Sequence, residues 1–342
     1  MTSRPITDAE RDNVTIYQEG RRGFYEVYYL KLNDPVAGRA LWLRYTILAP
    51  SSGAAPAAEL WAIAFDANNP GATAAWKATL GPEKLEIAHD RFMLRIGSAV
   101  IHHAGASGSI RGPSGDIWWD LRFDPASSGL RHFPSQRWYD RGLPKTKVLS
   151  PNVDARFFGE VSINGRKWRL RGTPGMQAHL WGTRHAESWT WAHVNCWDTD
   201  SKAWFEGLTA RIKVGPIPIP VLTMLAFHWN GQLHHFGAVK DLMRNQSEPA
   251  EPRWSFSCER DLVRFAGVVE APTARFVGVK YQDPDGSPRF CRNTKLASAT
   301  IDVFTRQSTG ASWDLADRLS TTYGGALEFV SRDENPQVAT RI

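Results

Sequence analysis

Residues 177–197 run Gln177-Ala178-His179-Leu180-Trp181-Gly182-Thr183-Arg184-His185-Ala186-Glu187-Ser188-Trp189-Thr190-Trp191-Ala192-His193-Val194-Asn195-Cys196-Trp197. From Trp189 onward the pattern repeats every two residues, the period at which side chains of an extended strand return to one face. Trp189, Trp191, His193 and Asn195 then share one face, and Thr190, Ala192, Val194 and Cys196 the other. The second face is small and mostly apolar, suited to packing. The first combines bulky rings with hydrogen-bonding groups. A solvent face would carry Lys or Glu, and a plain core face Val, Ile or Leu. Trp, Trp, His and Asn together suit a cavity wall with a few placed polar groups, or else a buried polar network that fixes the core. The loop before this strand carries His179, Trp181, Arg184, His185 and Glu187, with Gly182 setting a tight bend after Trp181. Arg184 and Glu187 suit an ion pair. Alternatively, Glu187 among tryptophan rings suits a general acid, because apolar surroundings raise a carboxyl pKa.

Working outward, strand signals dominate. Phe24 to Leu32 is rich in aromatic and β-branched residues, Asn33-Asp34-Pro35 breaks the run, and Ala40 to Leu48 resumes it as a hairpin. Residues 51–58 read as a loop, and Leu60 to Phe65 as a third strand with Trp61, Ile63 and Phe65 on one face. Phe92 to His103 and Gly115 to Phe123 read as strands around a Gly/Ser-rich turn. Asn164-Gly165 and Asn230-Gly231 predict tight hairpins, and Asp283-Pro284-Asp285-Gly286 another turn. Trp313 to Leu319 suits a short helix, Lys240 to Asn245 a turn, residues 130–150 an irregular connection, and Pro216 to Pro220 a stiff connector or edge strand. Short strands with frequent turns predict barrels or sandwiches, not a parallel α/β sheet.

At 342 residues the chain suits two domains. Hydrophobic residues make up 42 %, enough for two cores. The formal charge of +6 comes from interspersed residues with no long basic block, which argues against a nucleic-acid partner. No run approaches 18 apolar residues, so no transmembrane segment is expected, although peripheral contact with a membrane surface stays open. Met1 to Asn13 is polar and unlike a secretion signal, and Cys196, Cys258 and Cys291 are odd in number and widely spaced. Both point to a cytoplasmic protein without a disulfide framework. Fifteen Trp are an unusually heavy load, suited to core filling or to an aromatic cavity. No metal-ligand spacing, serine elbow or phosphate-binding glycine loop appears.

Gly172…His179-Leu180-Trp181-Gly182…Trp189-Thr190-Trp191 resembles the junction motif of the carotenoid 1,2-hydratase (hydroxyneurosporene synthase) and tocopherol cyclase-like superfamily. The Gly23-to-Tyr29 hairpin strand, Trp118-Trp119-Asp120-Leu121 and Ala326-Leu327-Glu328-Phe329 fit the same resemblance. It implies an all-β chain of two consecutive lipocalin-like antiparallel barrels with little helix, 1–174 and 175–342. It also implies an apolar, isoprenoid-like small molecule in an aromatic pocket near the join, and acid-initiated hydration, cyclisation or isomerisation without a cofactor. A non-catalytic lipid or isoprenoid carrier is the alternative. The superfamily often has an acid directly before the histidine, where this chain has Ala178, so Glu187 and Glu26 are the candidate replacements. The expected catalytic set is Glu187, His179, His193 and Glu26. Tyr28, Trp42, Trp181, Arg184, Trp189, Trp191 and Asn195 are the expected ligand-binding set. Aromatic faces stabilise a carbocation by roughly 0.5–2 kcal/mol each. The oligomeric state is not legible.

Overall fold

The computed structural model describes residues 6–199, 202–214, 217–218, 221–242 and 244–342. Two antiparallel sheets, of 12 and 10 strands, account for nearly all regular structure. The α-helices are single turns at Asp8–Arg11, Arg137–Asp140 and Val239–Leu242. No described helix is long and apolar enough to cross a membrane.

The first sheet runs from the strand Ala74–Leu80 through Ala57–Asp66, Arg39–Ala49 and Phe24–Asp34 to the hairpin Thr146–Ile163/Arg166–Gly182. It then descends through Gly115–Phe123 and Gly105–Gly112 to Leu85–Ala88. It curls into a lipocalin-like barrel until its first strand meets the Ser114–Gly115 turn. There Trp76 Nε1 donates to the Gly115 carbonyl and Ser114 Oγ to the Ala75 carbonyl, both at 2.9 Å. The second sheet centres on Ser188–Val194, between Trp204–Arg211 and Asp314–Ser331. The Asn-Gly hairpins form as read: Asn164 and Gly165 have φ of 50° and 79°, Asn230 and Gly231 50° and 76°, as a two-residue turn with both central φ positive requires.

Several local expectations are corrected. Residues 105–112 are a strand, not a turn, and small residues there are a packing requirement. A Cβ on Gly108 would sit 2.4 Å from that of Ala99. Trp313 to Leu319 is not helical: the 18-residue strand Asp314–Ser331 includes most of it, and Leu319 pairs with Ile301 and is buried. Long-range pairing outweighs local helical pattern here. Residues 130–150 contain the short strand Leu130–Arg131, the turn Arg137–Asp140 and the start of the strand Thr146–Ile163. Of the proline-rich connector, Ile217–Pro218 is a two-residue strand; Pro216, Ile219 and Pro220 lie outside the described residues. The strand Arg166–Gly182 belongs wholly to the first sheet, and the second sheet begins at Ser188. By sheet membership the chain therefore changes barrels between Gly182 and Ser188.

Alternation decides what each strand face covers. Phe24, Tyr28, Leu30 and Leu32 enter the first core. Tyr25, Val27 and Tyr29 on the opposite face join Trp42, Trp61, Trp191, Tyr281 and Val330 in a seam between the outer walls of the two sheets. Tyr29 meets Trp191 edge-on at 5.7 Å, and Trp61 meets Tyr281 at 6.1 Å. Asn33 stitches the seam by donating to the carbonyls of Tyr323, at 2.9 Å, and Lys295. The face with Ala192 and Val194 lines the second core, whereas the Trp189–Asn195 face looks into the seam. Much of the tryptophan load is core filling: Trp76, Trp119 and Trp168 in the first barrel, Trp197 and Trp254 in the second.

Candidate functional site

The strand Phe24–Asp34 directs Glu26 and Tyr28 toward the interior of the first barrel. Its neighbour Arg166–Gly182 sets His179 opposite Tyr28 and Trp181 opposite Glu26. Glu26 therefore reaches His179 diagonally across the ladder, with Oε1 2.8 Å from Nε2 and both residues fully buried. Tyr28 stacks on the imidazole at 4.3 Å and donates its hydroxyl proton to Glu26 Oε1 at 2.8 Å. Burial, with the Glu26 charge adding, holds that phenol well above its ordinary range, so it stays a donor. Trp181 lies 4.7 Å from the His179 ring and Phe92 4.8 Å from Tyr28.

The segment after the helix Asp8–Arg11 closes over this group as a strap. The Ile16 and Tyr17 N–H groups donate to Glu26 Oε1 and Oε2 at 2.8 and 2.7 Å. The Asp12 carbonyl is 2.7 Å from His179 Nδ1. Asn13 and Gln177 exchange amide hydrogen bonds of 2.8 and 2.7 Å. The helix is capped by Thr7 Oγ1, which accepts from the Glu10 N–H at 3.1 Å, and Arg131 pairs with Asp12.

Hydrogen-bond roles fix the proton count. A carbonyl only accepts, so His179 Nδ1 carries a proton. Nε2 faces a carboxyl oxygen, so one proton lies between the two groups: an imidazolium beside a carboxylate, or an imidazole beside a carboxylic acid. Among the described residues no Lys or Arg nitrogen comes within 4.0 Å of Glu26, and the Arg21 guanidinium feels its charge from farther off. A shared proton beside aromatic faces can be given up and taken back, the requirement for a general acid–base.

The remaining sequence-derived residues are placed elsewhere. Ala178 belongs to the seam, so a carboxylate there would point away from this group. Glu187 binds Arg332 at 2.8 Å, away from the dyad. The Arg184 carbonyl accepts from Thr146 Oγ1 at 2.7 Å. Trp189 stacks over His185 at 5.5 Å. In the seam, Trp191 donates to Glu206 at 2.9 Å, and His193 Nε2 is 2.7 Å from the Val153 carbonyl. Lys31 Nζ approaches His193 Nδ1 at 3.1 Å and Asn195 Oδ1 at 3.4 Å, and Trp42 lies under Lys295. Burial, reinforced by Lys31, pushes His193 down to about 3, and burial pushes the Lys31 ammonium down to about 7. The structure thus groups Glu26, Tyr28, His179 and Trp181, and separately Trp42, Trp191, His193 and Asn195.

Two features escape the sequence reading. One is the strap. The other is His185, whose Nδ1 lies 2.7 Å from Asp283 Oδ1 and whose ring stacks on Tyr25 at 4.1 Å. Arg289, fully buried, pairs with the other Asp283 oxygen at 3.0 Å. His185 was legible only as part of a bend and Asp283 only as part of a turn, and 98 residues separate them. Among the described residues no group of three His, Cys, Asp or Glu is placed to hold a metal. Two hollows lie away from the dyad. One, of about 420 Å³, is lined by His102, Ala106, Asp120, Leu121, Phe123 and Asp124. The other, of about 250 Å³, lies at one end of the second barrel.

Comparison with known proteins agrees with this architecture. The chain is 26 % identical over 303 residues to an uncharacterized protein of Mycobacterium tuberculosis, recorded in strains CDC 1551 and H37Rv, covering 87 % of each chain. The crystal structure of an AttH-type protein from Nitrosomonas europaea superposes with a TM-score of 0.54 at 9 % identity, over 90 % of this chain and 93 % of that one. Kievitone hydratase from Nectria haematococca gives a TM-score of 0.51 at 8 % identity, over 90 % and 88 %. These structures share the fold. The tocopherol cyclase-like family model matches residues 144–328, which include His179 and Trp181 but not Glu26. Spanning more than half of the sequence, that match shows that the chain belongs to the tocopherol cyclase-like family.

Proposed function

We propose that this protein catalyses acid-initiated hydration, cyclisation or isomerisation of an apolar, isoprenoid-like small molecule, without a cofactor, inside the N-terminal barrel. The observation that carries the reading is the buried Glu26–His179 pair, which shares one proton and has no Lys or Arg ion-paired to it among the described residues. Family membership supports the same reaction class. Glu26 is the acid: its proton passes to one carbon of a double bond, leaving positive charge on the other. The ring of Trp181 beside the dyad stabilises that charge. Water adding to the cation gives a hydrated product, an internal double bond gives a ring, and loss of a neighbouring proton gives an isomer. In each case one proton returns to the dyad. His179 holds the carboxyl in place and exchanges the proton with it.

The strap occupies the polar positions around the dyad, so substrate enters when residues 12–17 lift. The test is turnover of a panel of linear and cyclic isoprenoids by wild-type protein and by Glu26→Gln and His179→Gln variants, with mass spectrometry of organic extracts from each. Loss of turnover in both variants with the extracted compound retained is the expected result. Full turnover in Glu26→Gln would sink the acid assignment. A compound bound stoichiometrically yet never converted would make the protein a carrier.

A further inference from the structure

The second barrel carries its own hollow, and its lining is unlike that of the dyad. Across the strands Ser188–Val194, Trp204–Arg211 and Leu222–Trp229, Thr190, Thr209 and Thr223 stand side by side in register. All three are buried. On the same face the rows deeper in the barrel are apolar: Ala192, Val194, Phe205, Leu225 and Phe227 belong to the core. The threonine row marks where packed core ends and the hollow of about 250 Å³ begins, with Thr190, Thr209 and Phe329 among its walls. Thr209 and Thr223 bond one another at 2.8 Å, whereas among the described residues the Thr190 hydroxyl has no partner.

Charge at this end is uneven. Arg292 is tied down: it makes two close contacts to Glu251 Oε2, at 2.8 and 3.0 Å, and donates to Ser331 Oγ at 2.9 Å. Glu251 also accepts from Asn335 at 3.0 Å, so its charge is matched. Arg211, exposed at the rim, has no ion-pair partner among the described residues. A guanidinium offers paired N–H donors that fit a carboxylate. At about 30 Å³ for each water-sized group, the hollow takes roughly eight non-hydrogen atoms. That is too few for an isoprenoid chain.

We infer that this hollow is a second binding site, for a short-chain monocarboxylate. The carboxylate pairs with Arg211, the apolar tail lies against Phe329 and Val221, and the Thr190 hydroxyl takes a remaining polar contact. The site is independent of the acid–base reading of the first barrel.

Hexanoate, with eight non-hydrogen atoms, is the probe, followed by ligand-observed NMR and calorimetry on the full chain. Acetate, dodecanoate and hexan-1-ol are the controls, and 0.5 M salt is a further condition. Saturable hexanoate binding is expected, stronger than acetate or dodecanoate. It should weaken roughly tenfold in Arg211→Gln, the loss of one exposed charge-assisted contact, and weaken again in high salt. Ser188→Trp, at a lining position on the Thr190 face, should abolish it by filling the hollow. Unfolding curves of both variants check that they remain folded. Hexan-1-ol binding as well as hexanoate would overturn the carboxylate assignment. Absence of saturable binding, or binding untouched by both variants, would overturn the site. Glu26→Gln should bind hexanoate like wild type, so failure here and failure of the dyad reading are separable.

Discussion

Glu26–His179 in the first barrel and Asp283–His185 in the seam are built from the same side-chain types at nearly the same separation, 2.8 and 2.7 Å. They differ in what stands behind the carboxylate. Arg289 pairs with Asp283 at 3.0 Å. Burial would raise the Asp283 carboxyl, but the bonds from His185 and the Arg289 charge hold it below its ordinary range. Burial likewise lowers His185 against the pull of Asp283. A fixed cation settles where the charge lies, and the trio acts as a strut that ties the 183–187 passage to the second sheet. Glu26 has backbone N–H groups and a phenol behind it instead. These donors orient the carboxyl toward His179 without an ion pair to a guanidinium. The same pair of residue types is braced by an ion-paired guanidinium in one place and held by uncharged donors in the other.

The largest effect that would break this comparison is on turnover. Glu26→Gln should lower it by roughly 10²–10⁴-fold, the usual worth of a positioned acid or base, in the isoprenoid assay. Asp283→Asn should leave the dyad's chemistry alone and instead destabilise the fold by about 3–5 kcal/mol, because Arg289 is left as an unpaired buried charge. Chemical denaturation measures this directly, and a loss below about 1 kcal/mol would show that the strut is idle.

Lys31 sharpens the comparison from the other side, as a fully buried cation without a carboxylate partner among the described residues. Its ammonium falls from 10.5 to about 7 on folding. Between those values the folded chain binds fewer protons than the unfolded one, so stability should climb from pH 7 toward pH 10.5 and fall back as pH returns to 7. Lys31→Met should flatten that slope and stabilise the protein at neutral pH by about 1–4 kcal/mol. An unchanged slope would show that the amine stays charged when buried. The smallest effect concerns the strap. Asn13→Ala removes its exchange with buried Gln177 and should cost about 1–2 kcal/mol. Hydrogen exchange at the Ile16 and Tyr17 amides should then quicken by roughly tenfold, reporting freer opening over the dyad.

That His179 and Trp181, read as part of a loop, share one face of the strand Arg166–Gly182 only the structure showed, whereas by itself the sequence determined the strand character of Phe24–Leu32 and Trp189–Asn195 and the Asn-Gly hairpins. These follow from periods of two and from local backbone preferences, which need no knowledge of distant residues. It also narrowed the candidates for the missing acid to Glu26 or Glu187. Tertiary structure put only Glu26 beside His179, because the two are 153 residues apart and meet only through the order of strands in a sheet. Alternation says that the Trp189–Asn195 face differs from its opposite, but not what covers it. The second sheet's packing on Tyr29, Lys31 and Trp42 made that face a seam instead of a cavity wall. The strap was equally beyond reach, since a polar N-terminal segment declares no partner until a barrel end offers it Glu26, Gln177 and His179 to bond.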